Sequence, residues 1–270
     1  MIRDLALRCE DMALDSLWMG EHVVLFDETE NPYPGSASGK LPVPEGGGML
    51  DTVATFGFLA ALTERLRFGT GISLISQRNP LYTAKEFATL DWLTDGRIDF
   101  GVGVGWCKEE VIASGYGWED RGERSNEFLE LLKKLWCDSP ASFDGRHFQV
   151  APCHLDPKPV QQPHIPIIVG GHSPAALTRA ARYGSGWYGF QLNPEQTRPL
   201  LETLDDKLAA ENRSGDDFEL VITPGAIGPA DVEAFAALGV DRLVLHLGSQ
   251  RTEKIAARLH EVGELMRAVA

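Results

Sequence analysis

The sequence predicts an α/β fold, a (β/α)8 barrel of the TIM type, on three observations. Short apolar runs alternate with helical segments along most of the chain. The runs are apolar throughout, which is typical of parallel strands buried on both faces. Barrels of this kind also reach 270 residues as one domain. The alternative is an open, doubly wound sheet, but each predicted strand is followed by a helix and no second domain is evident.

The predicted elements of the first half follow from hydrophobic spacing. The chain opens on a helix where a barrel would open on a strand, so we expect the first β-strand of the barrel to be missing, either because the protein lacks it or because this reading frame starts late. The helices are predicted at residues 2–14, 50–63, 80–94 and 126–136, and the strands at residues 15–20, 65–75 and 97–105.

The second half keeps the same rhythm after a hairpin around an Asp-Gly turn at residues 141–152. Strands are predicted at residues 165–171, 186–190, 218–223 and 241–247, and helices at residues 173–183, 194–211 and 229–238. In the last helix, five apolar residues recur every three or four positions and predict a buried stripe: Ile255, Leu259, Val262, Met266 and Val269.

Residues 1–270 are predicted to form a single domain with two interruptions. The first is the loop 31–48, which is rich in proline and glycine and long enough to act as a lid over a site. The second is a hairpin insertion at residues 139–165.

Composition excludes several classes of partner. The chain has 25 Lys and Arg against 39 Asp and Glu, a formal net charge of −14, which argues against nucleic acid and anionic membranes as partners. No apolar run is long enough to span a membrane. The four cysteines are far apart and include no CxxC pair, so we expect a reducing cytoplasm and neither a disulfide framework nor a metal site.

Glu21 and His22 follow the first predicted strand, at the end where barrel enzymes carry their chemistry. A carboxylate beside an imidazole suits acid–base catalysis or hydrogen bonding to a polar ligand. The alternative is a pair of solvated side chains.

Glycines mark two further strand ends. Gly71 precedes Ile72 inside an apolar strand, which indicates a bulge, a close approach by a ligand, or simple tight packing. Gly101, Gly103 and Gly105 alternate in "GVGVGW" and do not match the dinucleotide pattern GxGxxG. Such glycines could clear one strand face for a flat group, with Trp106 as a wall of that space or as a core aromatic.

The segment "IPIIVGGHSPAAL" gives the strongest local signal. After a strand come Gly170 and Gly171, then Ser173 as N-cap and Pro174 at the first helical position. Free amides at the positive end of a helix bind anions, most often phosphate. The alternative is an ordinary tight turn.

Taken in order, four stretches resemble the bacterial luciferase-like monooxygenase family, and most closely its deazaflavin branch, which uses coenzyme F-420. They are "DSLWMGEHVV", "RLRFGTGISLISQRNPLYTAKEFATLDWLTDGRIDFGVGVGWCKEE", "RGERSNEFLELLKKLW" and "PKPVQQPHIPIIVGGHSPAALTRAARYGSGW". The resemblance implies a barrel that binds the deazaflavin, or alternatively reduced FMN, at its C-terminal mouth. It also implies a homodimer through helices near the start of the barrel.

The resemblance assigns roles to the strand-end residues. Gly71–Ile72 matches a non-prolyl cis peptide packed on the cofactor ring, and Gly103, Gly105 and Trp106 would lie beside the ring. The phosphate-binding turn is matched by Gly170, Gly171, His172 and Ser173. His22 and Glu21 match an acid–histidine pair near the reactive ring.

The chain departs from the family pattern where some deazaflavin dehydrogenases carry a catalytic Glu, directly after the fourth-strand glycines. Trp106 stands there, with Glu109 and Glu110 further on, so no general acid is assigned. The leading expectation is an oxidoreductase that transfers hydride between reduced coenzyme F-420 and a small organic substrate. The alternatives are an FMNH2-dependent monooxygenase and a non-catalytic flavin-binding homologue. A sugar-phosphate isomerase or aldolase is disfavoured because no predicted strand end carries a lysine.

Overall fold

The computed structural model describes residues 2–36, 38–43, 48–247 and 252–269. It divides into two compact units, Trp18–Ile167 and Met1–Leu17 with Ile168–Ala270. The prediction of a single domain over residues 1–270 stays a prediction. The predicted loop 31–48 lies partly outside the described residues.

Over the described residues, helices and strands mostly alternate, and an antiparallel hairpin and a short 3-10 helix, Ile75–Gln77, interrupt the order. The helices are α1 (Ile2–Asp11), α2 (Thr52–Ala60), α3 (Pro80–Thr94), α4 (Lys108–Ala113), α5 (Arg121–Cys137), α6 (Pro174–Tyr183), α7 (Pro194–Ala210), α8 (Pro229–Ala237) and α9 (Thr252–Val269). The strands are β1 (Ser16–Met19), β2 (Arg67–Thr70), β3 (Ser73–Leu74), β4 (Ile98–Gly103), β5 (Ala141–Asp144), β6 (Gln149–Cys153), β7 (Ile167–Gly170), β8 (Gly186–Leu192), β9 (Glu219–Pro224) and β10 (Arg242–Leu243).

In the unit Trp18–Ile167, parallel strands place the residues that follow them at one edge. β2 and β3 both pair in parallel with β4, with Phe68 opposite Ile98 and Ser73 opposite Val102. The strand predicted at residues 65–75 is therefore interrupted at Gly71 and Ile72. All six residues of β4 are buried, as expected for a strand covered on both faces.

Helices α3 and α5 cover this sheet. α3 begins as predicted at Pro80, because the Asn79 side chain accepts hydrogen bonds from the amides of the first turn. The predicted hairpin is present as β5 and β6. It is anchored to α5 by Glu127, whose carboxylate accepts hydrogen bonds from the amides of Arg146, His147 and Phe148.

In the unit Met1–Leu17 with Ile168–Ala270, β7, β8, β9 and β10 pair in parallel in that order. Ser173 caps α6 through its hydroxyl, and Asn193 and Gln196 form a capping box at α7. The buried stripe predicted for α9 is only partly correct. Three of its apolar residues are buried, but Met266 is 39% exposed and Val269 is 41% exposed.

Two short elements differ from the sequence prediction. α4 has no counterpart in it, and β10 covers only Arg242–Leu243 of the predicted residues 241–247. No helix within the described residues is both long enough and apolar enough to cross a membrane.

Candidate functional site

His22, which follows β1 closely, is held by two side chains from the segment after β4. Its Nδ1 atom lies 2.6 Å from Glu110 Oε2, and its Nε2 atom lies 3.3 Å from the indole Nε1 of Trp106. The side chain of Glu110 is fully buried and that of His22 is 7% exposed. The three residues form one connected group in the unit Trp18–Ile167.

This geometry fixes the proton of the imidazole. The Trp106 indole can only donate, so His22 Nε2 must accept and carry no proton. Nδ1 then carries the proton and donates it to the Glu110 carboxylate. In its neutral form His22 is therefore the Nδ1–H tautomer, and its Nε2 lone pair accepts the 3.3 Å hydrogen bond from the Trp106 indole.

Glu110 stays ionised in this buried position. Burial alone would raise its pKa, but the hydrogen bonds from His22 and from the Val23 amide outweigh it and hold the pKa below the ordinary value for Glu. Its Oε1 atom accepts the Val23 amide at 2.6 Å and the Val24 amide at 3.4 Å. One carboxylate thus binds both the imidazole and the backbone that follows it.

Glu21 points to different partners from its neighbour His22. Its Oε2 atom accepts from the Ser73 hydroxyl at 2.6 Å and from the Leu74 amide at 2.8 Å. Its Oε1 atom lies 2.6 Å from an Arg78 nitrogen, and Glu86 binds the same guanidinium. Although burial opposes it, these two carboxylates hold the pKa of Arg78 above its ordinary value. Glu21 therefore ties β3 to the end of β1.

Residues at the start of α4 also bind a second stretch of the loop after β1, around Glu30. Lys108 forms an ion pair with Glu30 at 2.6 Å, and the Glu109 carboxylate accepts the Glu30 amide at 2.8 Å. The ring of Tyr33 meets Trp106 edge to face, with 5.4 Å between centroids. The loop is thus fastened at both ends to residues 106–110.

The peptide bond between Gly71 and Ile72 is cis, as the resemblance predicts. The prediction that the alternating glycines clear open space is wrong for two of them. A Cβ atom on Gly101 would lie 1.8 Å from the Thr70 carbonyl oxygen, and one on Gly103 would lie 2.0 Å from Ile72 Cδ1. The space beside these two glycines is therefore filled by atoms of Thr70 and Ile72.

Gly105 and Trp106 serve the turn from β4 into α4. Gly105 has a φ of +81°, a backbone conformation that favours glycine. Trp106 is partly exposed and lies against His22 and Tyr33, so it is a wall residue rather than a core aromatic.

The turn from β7 to α6 has the features of an anion site. Gly171 has a φ of +118°, and a Cβ there would lie 2.9 Å from the Ala176 Cβ. The Ser173 hydroxyl accepts the Ala176 amide. Among the described residues, the amides of His172, Ser173 and Ala175 have no hydrogen-bond acceptor, so they are available to an anionic group.

His172 contributes a neutral imidazole to this turn. Its Nε2 atom accepts the Phe190 amide at 3.0 Å, which leaves Nδ1 as a donor. Partial burial lowers the pKa of His172 below the ordinary value for His. The turn therefore offers N–H donors rather than a fixed positive charge.

A family model described as luciferase-like monooxygenase matches residues 1–265. The chain belongs to this family. An F-420-dependent secondary alcohol dehydrogenase, solved with an F-420-acetone adduct, superposes with a TM-score of 0.81 at 18% identity, covering 99% of this chain and 94% of that one. The shared fold confirms the predicted luciferase-like barrel.

Two relatives of the chain use different cofactors. An FMNH2-dependent dimethylsulfone monooxygenase of Pseudomonas putida is 41% identical over 160 residues, 58% of this chain and 44% of the relative. An F-420-dependent glucose-6-phosphate dehydrogenase of Microbacterium testaceum is 28% identical over 225 residues, 81% of this chain and 61% of the relative. These relatives are oxidoreductases, which confirms the predicted enzyme class.

The structure groups the predicted site residues into two clusters, one in each unit. Glu21, His22, Gly71, Ile72, Gly103, Gly105 and Trp106 lie in the unit Trp18–Ile167, and Gly170, Gly171, His172 and Ser173 flank the end of β7. Sequence reasoning missed the role of Glu110. The one signal for it was a pair of acids, Glu109 and Glu110, at the start of a short polar segment, a position typical of a helix N-terminus.

Proposed function

We propose that the protein is a deazaflavin-dependent oxidoreductase that transfers hydride between reduced coenzyme F-420 and an organic substrate. The observation that carries the proposal is the placement of His22, whose Nδ1 is held by Glu110 and whose Nε2 faces Trp106. Interconversion of an alcohol and a carbonyl moves a proton as well as a hydride, and Nε2 would take up that proton on giving up its long 3.3 Å hydrogen bond from the Trp106 indole.

The turn Gly170, Gly171, His172 and Ser173 fits the anionic tail of such a coenzyme. Its free amides lie at the positive end of α6, and no carboxylate of the described residues bonds to them. The amides would bind phosphate oxygens and the His172 Nδ1 atom would add a donor. When bound, the reduced coenzyme would supply the hydride that is transferred.

The remaining predicted residues position the site. Gly103 accommodates the Ile72 side chain beside β4. We propose that Gly71 and Ile72 support the ring, so that Gly103 contributes indirectly through its contact with Ile72. Glu21 is a positioning residue in this proposal, because its carboxylate oxygens already bind Ser73, Leu74 and Arg78.

A second candidate is an FMNH2-dependent monooxygenase. It is favoured by the 41% identity to the Pseudomonas putida monooxygenase and by Trp106, an indole, directly after the β4 glycines. Both candidates need a ring cofactor with an anionic tail, so the turn at Ser173 does not separate them.

Parallel equilibrium titrations with coenzyme F-420 and with FMN separate the candidates. We expect the deazaflavin to bind more tightly, and reduced deazaflavin to be reoxidised by a carbonyl substrate under anaerobic conditions. Tighter binding of FMN, with turnover that requires oxygen, would reverse the order of the two candidates.

A capping variant tests where the coenzyme tail binds. Ser173→Ala removes the hydroxyl that caps α6, and Asn193→Ala removes the equivalent cap from α7 in the same unit. The two variants should lose similar stability, but only Ser173→Ala should weaken cofactor binding. Equal effects of both variants on binding would mean that the tail binds elsewhere.

We also propose a homodimer and a cytoplasmic location. Large apolar side chains on α2 and α3 are exposed, including Phe58 at 53%, Tyr82 at 73% and Leu93 at 66%, and a second copy would cover them. Light scattering measures the mass of the protein in solution, and the mass of a monomer would refute the proposed dimer. The four cysteines are all free, which fits a reducing compartment.

A further inference from the structure

We propose that this site takes an uncharged substrate with a hydrocarbon portion, which packs against residues 23–26, and not a phosphorylated one. The proposal rests on the proposed function, since it names the substrate class of the same site. We call residues 23–26 the apolar segment; they follow His22 directly in the chain.

The apolar segment exposes four consecutive apolar side chains. Val23 is 69% exposed, Val24 48%, Leu25 45% and Phe26 40%. Exposed apolar residues occur singly on most surfaces, whereas a contiguous run marks a binding surface. The Glu110 carboxylate that binds His22 Nδ1 also accepts the amides of Val23 and Val24, which keeps the start of the segment beside the histidine.

The backbone of the apolar segment is held in place. The buried carboxylate of Glu110 accepts the amides of Val23 and Val24, and the Glu30 contacts fasten the far end of the loop. The backbone of Val23 and Val24 therefore cannot turn inward without breaking hydrogen bonds to a buried charge. A prearranged apolar wall lowers the entropy cost of binding an apolar ligand.

The charges around the segment exclude a phosphorylated ligand. Residues 21–36 contain four acids and no Lys or Arg: the acids are Glu21, Asp27, Glu28 and Glu30. Within the part of the chain that the structure describes, the Arg78 and Lys108 side chains pair with carboxylates of this stretch and are neutralised by Glu21 and Glu30. A phosphate monoester needs cations or free amides, and it would meet carboxylates here.

Isothermal titration calorimetry with a homologous series of methyl ketones, from butan-2-one to octan-2-one, tests the proposal. Glucose 6-phosphate is the phosphorylated comparison. Each is titrated into protein loaded with deazaflavin and into cofactor-free protein. We expect the dissociation constant to fall about fourfold per added methylene in the loaded protein, with the same trend in the cofactor-free protein, and glucose 6-phosphate to bind more weakly than octan-2-one.

The double variant Val23→Ser/Phe26→Ser should reduce the dependence on chain length to nearly none. Val160→Ser is the matched control, because Val160 is a valine with 40% exposure in the same unit, and it should leave the dependence intact. The proposal is overturned if the double variant keeps the wild-type dependence, if the wild type shows none, or if glucose 6-phosphate binds more tightly. A change of oligomeric mass in the double variant would also overturn it, because the segment would then be a subunit interface. Loss of deazaflavin binding with the ketone series intact would count against the proposed function alone.

Discussion

Replacing Glu110 by Gln should disable His22 through a change that conserves the size of the side chain. The wild-type carboxylate accepts two short hydrogen bonds, from His22 Nδ1 and from the Val23 amide, both at 2.6 Å. A glutamine amide has one accepting oxygen and one donating nitrogen. If the oxygen keeps Val23, the nitrogen faces Nδ1 and moves the His22 proton to Nε2, which then opposes the Trp106 indole N–H. If the amide is reversed, its nitrogen opposes the Val23 amide.

The size of the effect follows from the burial of the pair. Leaving one buried donor without its acceptor costs about 1–3 kcal/mol, so we expect a loss of this size in the free energy of unfolding. The same carboxylate-to-amide change in a serine-protease triad lowers kcat about ten-thousandfold through the wrong histidine tautomer. We therefore expect kcat to fall on the order of a hundredfold to ten-thousandfold. The cofactor dissociation constant should stay close to that of the wild type.

Three measurements check this prediction: denaturant unfolding, steady-state turnover, and nitrogen NMR of the histidine rings. The NMR spectrum should show the His22 proton on Nδ1 in the wild type and on Nε2 in the variant. The control is Glu109→Gln, which changes the adjacent carboxylate without touching His22. Equal losses of activity in the two variants, or an unchanged His22 tautomer, would refute the reasoning.

Three further predictions concern stability. Gly171→Ala should cost about 1–3 kcal/mol in thermal unfolding, because φ is +118° and the new Cβ would press on Ala176. Glu21→Gln should cost about 3–5 kcal/mol in urea unfolding, at the lower end since Arg78, 13% exposed, keeps Glu86. The lowered pKa of His172 means that the folded state favours the neutral ring. The contribution of this residue to the stability of the fold is therefore complete above about pH 6.5, and it is lost as the pH falls through the pKa of the folded state. His172→Gln should flatten this part of the dependence of Tm on pH, and an unchanged slope would contradict it.

Strands and long helices could be predicted from the sequence because burial leaves a pattern in it. The seven apolar runs predict the main strands, and α3 occupies the predicted residues 80–94. α4 could not be predicted in this way, since its six residues are too few to show a helical period and two of the first three are acids. Missing α4 also meant missing Glu110, the residue that determines the state of His22.

Contacts between residues that are far apart in sequence could not be predicted, for a different reason. The alternation of Gly101 and Gly103 indicates close approach but does not say what approaches, and the approaching atoms belong to Thr70 and Ile72. The sequence does not show that Arg78 pairs with Glu21, because the two residues are 57 positions apart. Only the folded chain shows that this guanidinium lies, partly buried, between the carboxylates of Glu21 and Glu86.

The short helix α4 links catalysis and substrate binding through one residue. Glu110 sets the tautomer of His22 and also holds the backbone of Val23 and Val24, so a change there alters both the reacting atom and the apolar wall. The Phe26 side chain belongs to the wall alone, since the carboxylate reaches the imidazole without it. Changes at residue 26 should therefore act on substrate affinity, whereas changes at residue 110 should act on affinity and turnover together. This difference in kinetic signature is what distinguishes a wall residue from a positioning residue in this site.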